Sequence, residues 1–153
     1  MTAGITRRLA ASLAALALMG VAFLPIPAAA QTKVTIAVGG AGCLCYLPTV
    51  LPQQLGEYQR AGVNVELVDF KGGSQSLTAV LGGSADVVSG YFDHCVNLAA
   101  KNQHMQSFVV YDRYPGFALV VSPKHADKVK SVKDLANLKV GVSAPGSSTD
   151  FFL

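Results

Sequence analysis

The pattern of apolar and polar positions from residue 33 to residue 111 predicts short strands and short helices that follow one another. Runs of β-branched and other apolar residues predict strands at residues 33–38, 64–69, 85–89 and 106–111. Apolar residues at three- and four-residue steps predict helices from about Pro48, at 74–81 and at 92–101. Because strand and helix alternate, we expect an α/β fold in which helices flank a parallel sheet.

The first predicted helix carries its apolar residues along one side. Pro48 suits the first turn of a helix, and Gly56 and Gly62 interrupt or end it. We expect the apolar side to be buried; its residues are Leu47, Val50, Leu51, Leu55 and Tyr58.

The pattern changes after Tyr111. Further strands are predicted at 117–122 and 139–143, and a helix at 131–138 begins with a capping-box pair, Ser131 and Asp134. A last helix starts at Asp150 and is cut after about one turn, a length that is not stable alone. We therefore expect a truncated chain.

Three loops follow the first three predicted strands, at 39–46, 71–75 and 90–94. The carboxyl ends of parallel strands share one edge of a sheet, which is where α/β proteins bind ligands. Ser74 is predicted to cap the second helix and to leave free backbone N–H groups at Gln75 and Ser76, an arrangement that favours an anion. The candidate ligand-binding residues at this edge are Gly42, Cys43, Tyr46, Gly73, Ser74, Gln75 and Tyr91.

Residues 1–30 have the pattern of a cleavable secretory signal peptide. Two arginines precede an apolar run from Leu9 to Leu24, and three alanines stand before Gln31. We therefore expect a periplasmic protein. Beyond this segment ten basic and nine acidic side chains remain, without a basic cluster, so the charge does not favour nucleic acid as a partner.

Three cysteines and one histidine fall on loops at the predicted ligand edge, and three interpretations stay open. Cys43, Cys45, His94 and Cys95 offer thiolate and imidazole ligands for a soft metal, although the C-x-C spacing is not that of a structural zinc site. Alternatively, Cys95 forms a disulfide with Cys43 or Cys45, since the compartment is oxidising. In the third interpretation these are small buried residues that line the pocket.

No enzymatic motif stands out. The glycines at 39–42 do not fit G-x-G-x-x-G, and neither a phosphate-binding P-loop nor a G-x-S-x-G nucleophile motif is present. We therefore expect a binding protein that carries no cofactor and is not an enzyme.

Several segments resemble the periplasmic solute-binding proteins of nitrate/sulfonate/taurine-type ABC importers, which are related to thiamine-pyrimidine synthase-like proteins. The segments are the strand at 34–38, G-V-N-V-E-L-V at 62–68, the G-G-S-Q loop, L-G-G-S-A-D-V-V at 81–88, and 135–148. The resemblance implies a type II periplasmic binding fold, with two α/β lobes that close on a small solute. It also implies an ABC permease and an ATPase as partners, and we expect a monomer.

By position, residues 31–113 would form an incomplete first lobe and residues 114–153 the start of a second. Ser147, Ser148 and Thr149 would then supply the opposing anion contacts. The expected function is capture of a small anionic or polar solute such as a sulfonate, nitrate or taurine. Two alternatives stay open: a thiamine-pyrimidine precursor synthase-like or precursor-binding protein, and a truncated fragment that binds nothing.

Overall fold

A three-stranded parallel sheet organises the chain, and the helices follow its strands. The structure, a computed structural model, describes residues 31–153; the predicted signal peptide lies outside the described residues. The strands are β1 (Thr32–Val38), β2 (Val63–Asp69) and β3 (Val87–Val88), in the order β2-β1-β3. Both neighbours of β1 run parallel to it, so the carboxyl ends of all three strands lie at one edge.

The helices are short and lie between the strands as the pattern predicts. They are α1 (Leu47–Gln54), α2 (Glu57–Arg60), α3 (Gly73–Leu81), α4 (Asp93–Ala99) and α5 (Ser148–Phe151), with 3₁₀ turns at Leu44–Tyr46, Pro123–His125 and Val132–Leu135. The α/β prediction is confirmed. Gly56 separates α1 from α2, and the Ser131–Asp134 capping box is formed, although it opens a 3₁₀ turn and not a full helix.

Three predicted strands are absent from the described residues. The segments 106–111, 117–122 and 139–143 have the composition of strands but enter no ladder. A strand needs a neighbour to accept and donate its backbone hydrogen bonds, and the described chain supplies none to these segments. Their apolar side chains are accordingly exposed, up to 85% for Val120.

The prediction for the buried side of α1 is wrong. Leu47, Leu51 and Leu55 are exposed, whereas Thr49 is completely buried. The Thr49 hydroxyl lies 2.7 Å from the Ser89 hydroxyl, so α1 turns a polar side toward the end of β3. The buried Thr49 hydroxyl is thus hydrogen-bonded, as buried polar groups generally are, and the apolar side of α1 is left exposed.

The core is small and consists mainly of short side chains. Ala37 of β1 packs with Ala79 of α3 and Ala85, and Phe70 and Val80 cover this cluster. Such a core tolerates little change in volume, because protein interiors are close-packed. Among residues 31–153, no helix is both long and apolar enough to cross a membrane.

Candidate functional site

The loop that follows β1 is fixed by a carboxylate at the end of β2. Asp69 Oδ1 accepts hydrogen bonds from the backbone N–H groups of Gly40 and Ala41, at 2.8 and 2.9 Å. The parallel register pairs Val38 with Asp69, which brings the carboxylate beside the loop. Sequence reasoning missed this role of Asp69, although a polar residue that ends a strand at the ligand edge is a usable signal.

The amino terminus of α3 lies directly against the end of β1. A Cβ atom on Gly39 would lie 2.6 Å from Gly73 N and 2.7 Å from the carbonyl carbon of Gly72, so only glycine allows this approach. The Gly-rich loops therefore bring two segments of backbone into contact at the edge of the sheet.

The predicted cap of α3 is wrong. The helix starts one residue earlier than predicted, with Gly72 in the capping position. The Gly72 carbonyl accepts the N–H groups of both Gln75 and Ser76, so these two groups are not free. At the start of α3, the N–H groups of Gly73 and Ser74 have no backbone acceptor among the described residues.

A buried histidine stands beside this helix end. The His94 side chain is only 3% exposed, and a Cβ on Gly73 would lie 3.2 Å from its Nε2 atom. A Cβ on Gly90 would lie 3.1 Å from its Cδ2 atom, so the ring is held between two glycines. Neither ring nitrogen has a hydrogen-bond partner among the described residues.

Burial lowers the pKa of His94, and the neighbouring Asp93 carboxylate opposes this shift only in part. The imidazole is therefore neutral at pH 7, with one nitrogen as donor and the other as acceptor. Asp93 Oδ2 lies 3.5 Å from His94 Nδ1 and is likewise buried without a hydrogen-bond partner in the described chain. Three buried polar atoms without a hydrogen-bond partner in the described chain thus lie close together.

The loop before α5 packs onto the same place from the opposite side. Ser148 Oγ donates a 2.7 Å hydrogen bond to Asp93 Oδ1, and this contact is buried. A Cβ on Gly72 would lie 3.4 Å from Ala144 Cβ, which puts the two loops in van der Waals contact. Of the candidates predicted in this loop, Ser147 and Ser148 are buried and Thr149 is half-buried.

The hydroxyl groups of this loop bind one another. Ser143 Oγ and Ser147 Oγ are 3.0 Å apart, and Thr149 Oγ1 lies 2.9–3.0 Å from both. Thr149 Oγ1 also accepts the Ser143 N–H at 3.0 Å. Hydroxyl groups in such a network are preorganised, because their rotations are already restricted.

Two tyrosines predicted to border the ligand occupy different surroundings. Tyr46 is buried, which raises the pKa of its phenol more than a hydrogen bond with the Gly39 backbone lowers it. Tyr91 packs against Phe117, with ring centroids 4.7 Å apart. Tyr46 is therefore a buried side chain, whereas Tyr91 takes part in an aromatic contact with the segment after the sheet.

The cysteines do not pair as expected. Cys43 is joined to Cys45 by a disulfide and Cys95 is free, so the predicted bridge from Cys95 is wrong. Cys43 and Cys45 are exposed and are not buried pocket residues. Within residues 31–153 no group of three or more metal-ligating side chains comes together, and disulfide sulfurs are not thiolate ligands.

The other predicted contacts lie around the same edge. Gly42 and Gln75 are exposed. A cavity of about 430 Å³ lies between α3, α4 and α5; Ser74 and Ser147 line it, whereas Gly73 and His94 do not. The structure thus brings the residues of α3, α4 and the loop before α5 together.

The sequence model described as NMT1/THI5 like matches residues 46–151, more than half of the chain. The chain belongs to the NMT1/THI5-like family. This is the family of nitrate-, sulfonate- and taurine-type solute-binding proteins, so the resemblance seen in the sequence is confirmed. None of the curated proteins matches the chain significantly.

A solved structure of a protein from Bordetella bronchiseptica RB50 is similar to this NMT1/THI5-like chain. The two are 44% identical in sequence, with a TM-score of 0.74 over 80% of this chain. The chain spans 38% of the length of that relative. The three-stranded sheet and its helices therefore correspond to part of a periplasmic binding fold.

Proposed function

We propose that this chain is the extracytoplasmic solute-binding component of an ABC importer, and that it captures a small anionic or polar organic solute of the sulfonate, nitrate or taurine type. One observation carries the proposal. The N–H groups of Gly73 and Ser74 and the nitrogens of buried His94, none of which has a partner among residues 31–153, occur together at the carboxyl edge of the sheet.

The donors at this place are backbone N–H groups and an imidazole, which favour a small anion. The buried Asp93 carboxylate lies beside His94 Nδ1 and opposes negative charge there, so the anion would lie on the Nε2 side of the ring, next to Gly73. Backbone N–H groups at a helix start carry partial positive charge, and a neutral imidazole adds one N–H donor. Hydrogen bonds from such donors to an anion are charge-assisted and about twice as strong as neutral ones. An oxyanion bound by the Gly73 and Ser74 N–H groups would therefore also satisfy a His94 nitrogen that otherwise stays unpaired.

The opposing wall is the Ser143–Thr149 hydroxyl network with the Ser148–Asp93 hydrogen bond. A solute that contacts both walls would stabilise the arrangement in which they meet, because a ligand shifts a conformational equilibrium by its differential affinity for the two states. Capture needs no bond making or breaking. We therefore propose a receptor and not an enzyme.

The transport context is part of the same proposal. The permease and the ATPase of the importer are the expected partners, and export with removal of residues 1–30 would place a monomeric receptor in the periplasm. We further propose that a first lobe ends at residue 113 and that a second begins at residue 114. The predicted ligand contacts would bind the solute.

The test is calorimetric titration of the purified chain with methanesulfonate, taurine and nitrate. The variants Ser74→Ala and His94→Asn are each compared with a matched control. Ser74→Ala keeps the backbone N–H that the proposal uses, so its affinity should stay close to that of the unaltered chain. Ser84→Ala makes the same change three residues beyond the other end of α3, and His104→Asn changes an exposed histidine. We expect at least one of the three solutes to bind, with an affinity that falls about tenfold in His94→Asn, the effect of losing one hydrogen bond to a charged group.

The two controls should bind as the unaltered chain does. Equal affinities for His94→Asn and His104→Asn would contradict the assignment of the site. The absence of binding for all three solutes would contradict the proposed solute class.

A further inference from the structure

We propose that the Cys43–Cys45 disulfide is a reversible modification site that an external dithiol reduces, and that its redox state sets the position of Tyr46 beside the strand ends. The proposal concerns the chain alone, so it holds whichever solute the site takes. It rests on the exposure of the disulfide and on the position of Tyr46 directly after Cys45.

The disulfide is open to solvent. Cys43 and Cys45 are both exposed, and Leu44 between them is 81% exposed. The bridge spans only one intervening residue, so it restricts the unfolded chain little and contributes little to global stability. Exposed disulfides are the labile ones in exchange reactions. The bond can therefore be broken while the rest of the fold stays intact.

The two sulfur atoms are not equivalent. The backbone N–H of Cys45 donates to Cys43 Sγ at 3.4 Å. This hydrogen bond stabilises negative charge on Cys43 Sγ, which makes Cys43 the better leaving thiolate. We therefore expect the thiolate of the dithiol to attack Cys45 Sγ.

The exchange balances with a dithiol as the reductant. Attack forms a mixed disulfide with Cys45 and releases Cys43 as a thiolate, which takes up a proton. The second thiol of the reagent then attacks the reagent's own sulfur in the mixed disulfide and releases Cys45. The chain gains two electrons and two protons, and the dithiol becomes a cyclic disulfide.

The third cysteine is a poor exchange partner. Cys95 is half-buried, and burial together with the Asp93 carboxylate raises the pKa of its thiol. A protonated thiol is not a nucleophile in disulfide exchange. The reductant must therefore come from outside the chain.

The turn that carries the disulfide also positions Tyr46. The Cys43 N–H donates to the Gly40 carbonyl at 2.9 Å, and the Tyr46 N–H donates to the Cys43 carbonyl at 3.0 Å. Tyr46 directly follows Cys45, and its side chain is buried. Opening the ring frees the dihedral angles from Cys43 to Cys45, directly before Tyr46, so the Tyr46 side chain loses part of its constraint.

The test combines thiol labelling with amide NMR on the purified chain, before and after treatment with dithiothreitol under native conditions. We expect iodoacetamide to label Cys43 and Cys45 only after treatment, as the free thiols rise from one to three. Resonances of Gly40 and Tyr46 should shift on reduction and return on reoxidation. Cys95→Ala should behave identically, and the double variant Cys43→Ser with Cys45→Ser should give the reduced spectrum in both conditions.

Four results would overturn the proposal, three from labelling and NMR and one from a melt. In the first, Cys43 and Cys45 are labelled without reduction. In the second, they become labelled only in denaturant. In the third, reduction occurs but the Tyr46 resonances do not move. A melt of the reduced chain should remain cooperative, and loss of cooperativity would likewise contradict the account, because the bridge would then be a structural one.

Discussion

Replacing Gly39 by alanine tests the contact between the end of β1 and the start of α3. The added Cβ would lie 2.6 Å from Gly73 N, 2.7 Å from the Gly72 carbonyl carbon and 2.9 Å from Gly73 Cα. All three are backbone atoms, so no side-chain rotation can relieve the overlap. The helix start must move, and overpacking of this kind costs about 1–3 kcal/mol.

The matched control lies in the same loop. Nothing lies within 4 Å of a Cβ placed on Gly42, so Gly42→Ala should change stability by less than about 0.5 kcal/mol. For a chain of this size, the cost at Gly39 corresponds to a decrease in Tm of roughly 4–15 °C. Thermal melts followed by circular dichroism, with urea titrations for the free energy of unfolding, would measure both variants.

The result that would refute the reasoning is an equal Tm for Gly39→Ala and Gly42→Ala. That outcome would mean that the two backbone segments do not approach each other in solution. The amino terminus of α3 would then not lie at the strand end, and the candidate site would not be assembled as described.

Three further predictions concern single polar groups. The pKa of buried His94 is lowered in the folded chain, so the unfolded chain binds a proton first and stability should fall as the pH drops below about 6.5. In urea melts from pH 8 to pH 5, the free energy of unfolding should fall less for His94→Asn than for the unaltered chain. An equal fall for both proteins would contradict this. Asp69→Ala removes the acceptor of the Gly40 and Ala41 N–H groups and should lower the free energy of unfolding by about 1–2 kcal/mol, after allowance for solvent exposure. An unchanged urea midpoint would show that Asp69 does not anchor this loop. Thr49→Val leaves the buried Ser89 hydroxyl unpaired and should lower the free energy of unfolding by about 1–3 kcal/mol, more than Tyr111→Phe does. A larger loss for Tyr111→Phe would contradict the role given to the Thr49–Ser89 hydrogen bond.

Two of the three strands could be predicted almost to the residue. Residues 33–38 and 64–69 are observed as Thr32–Val38 and Val63–Asp69, because both are long β-branched runs that pair with each other. The segment 106–111 has the same composition and forms no strand. Composition reports a preference, whereas a strand also needs a partner, which local sequence cannot supply.

The edge of the sheet could be predicted, but not the groups that meet there. Topology alone indicates that the loops after parallel strands converge, and this places Tyr46 and Gly73 correctly. The burial of His94 could not be predicted, since it depends on the space that Gly73 and Gly90 leave in three dimensions. The cap at Gly72 was missed because a serine two residues later has the stronger capping preference.

The measurement that tests the central claim most directly is a titration of the ¹⁵N-labelled chain with methanesulfonate, followed by amide NMR. The account predicts saturable shifts of the Gly73 and Ser74 N–H resonances and of the His94 ring, with little change at Ser84, three residues beyond the far end of α3. Shifts that appear elsewhere and leave Gly73, Ser74 and His94 unmoved at saturation would contradict it.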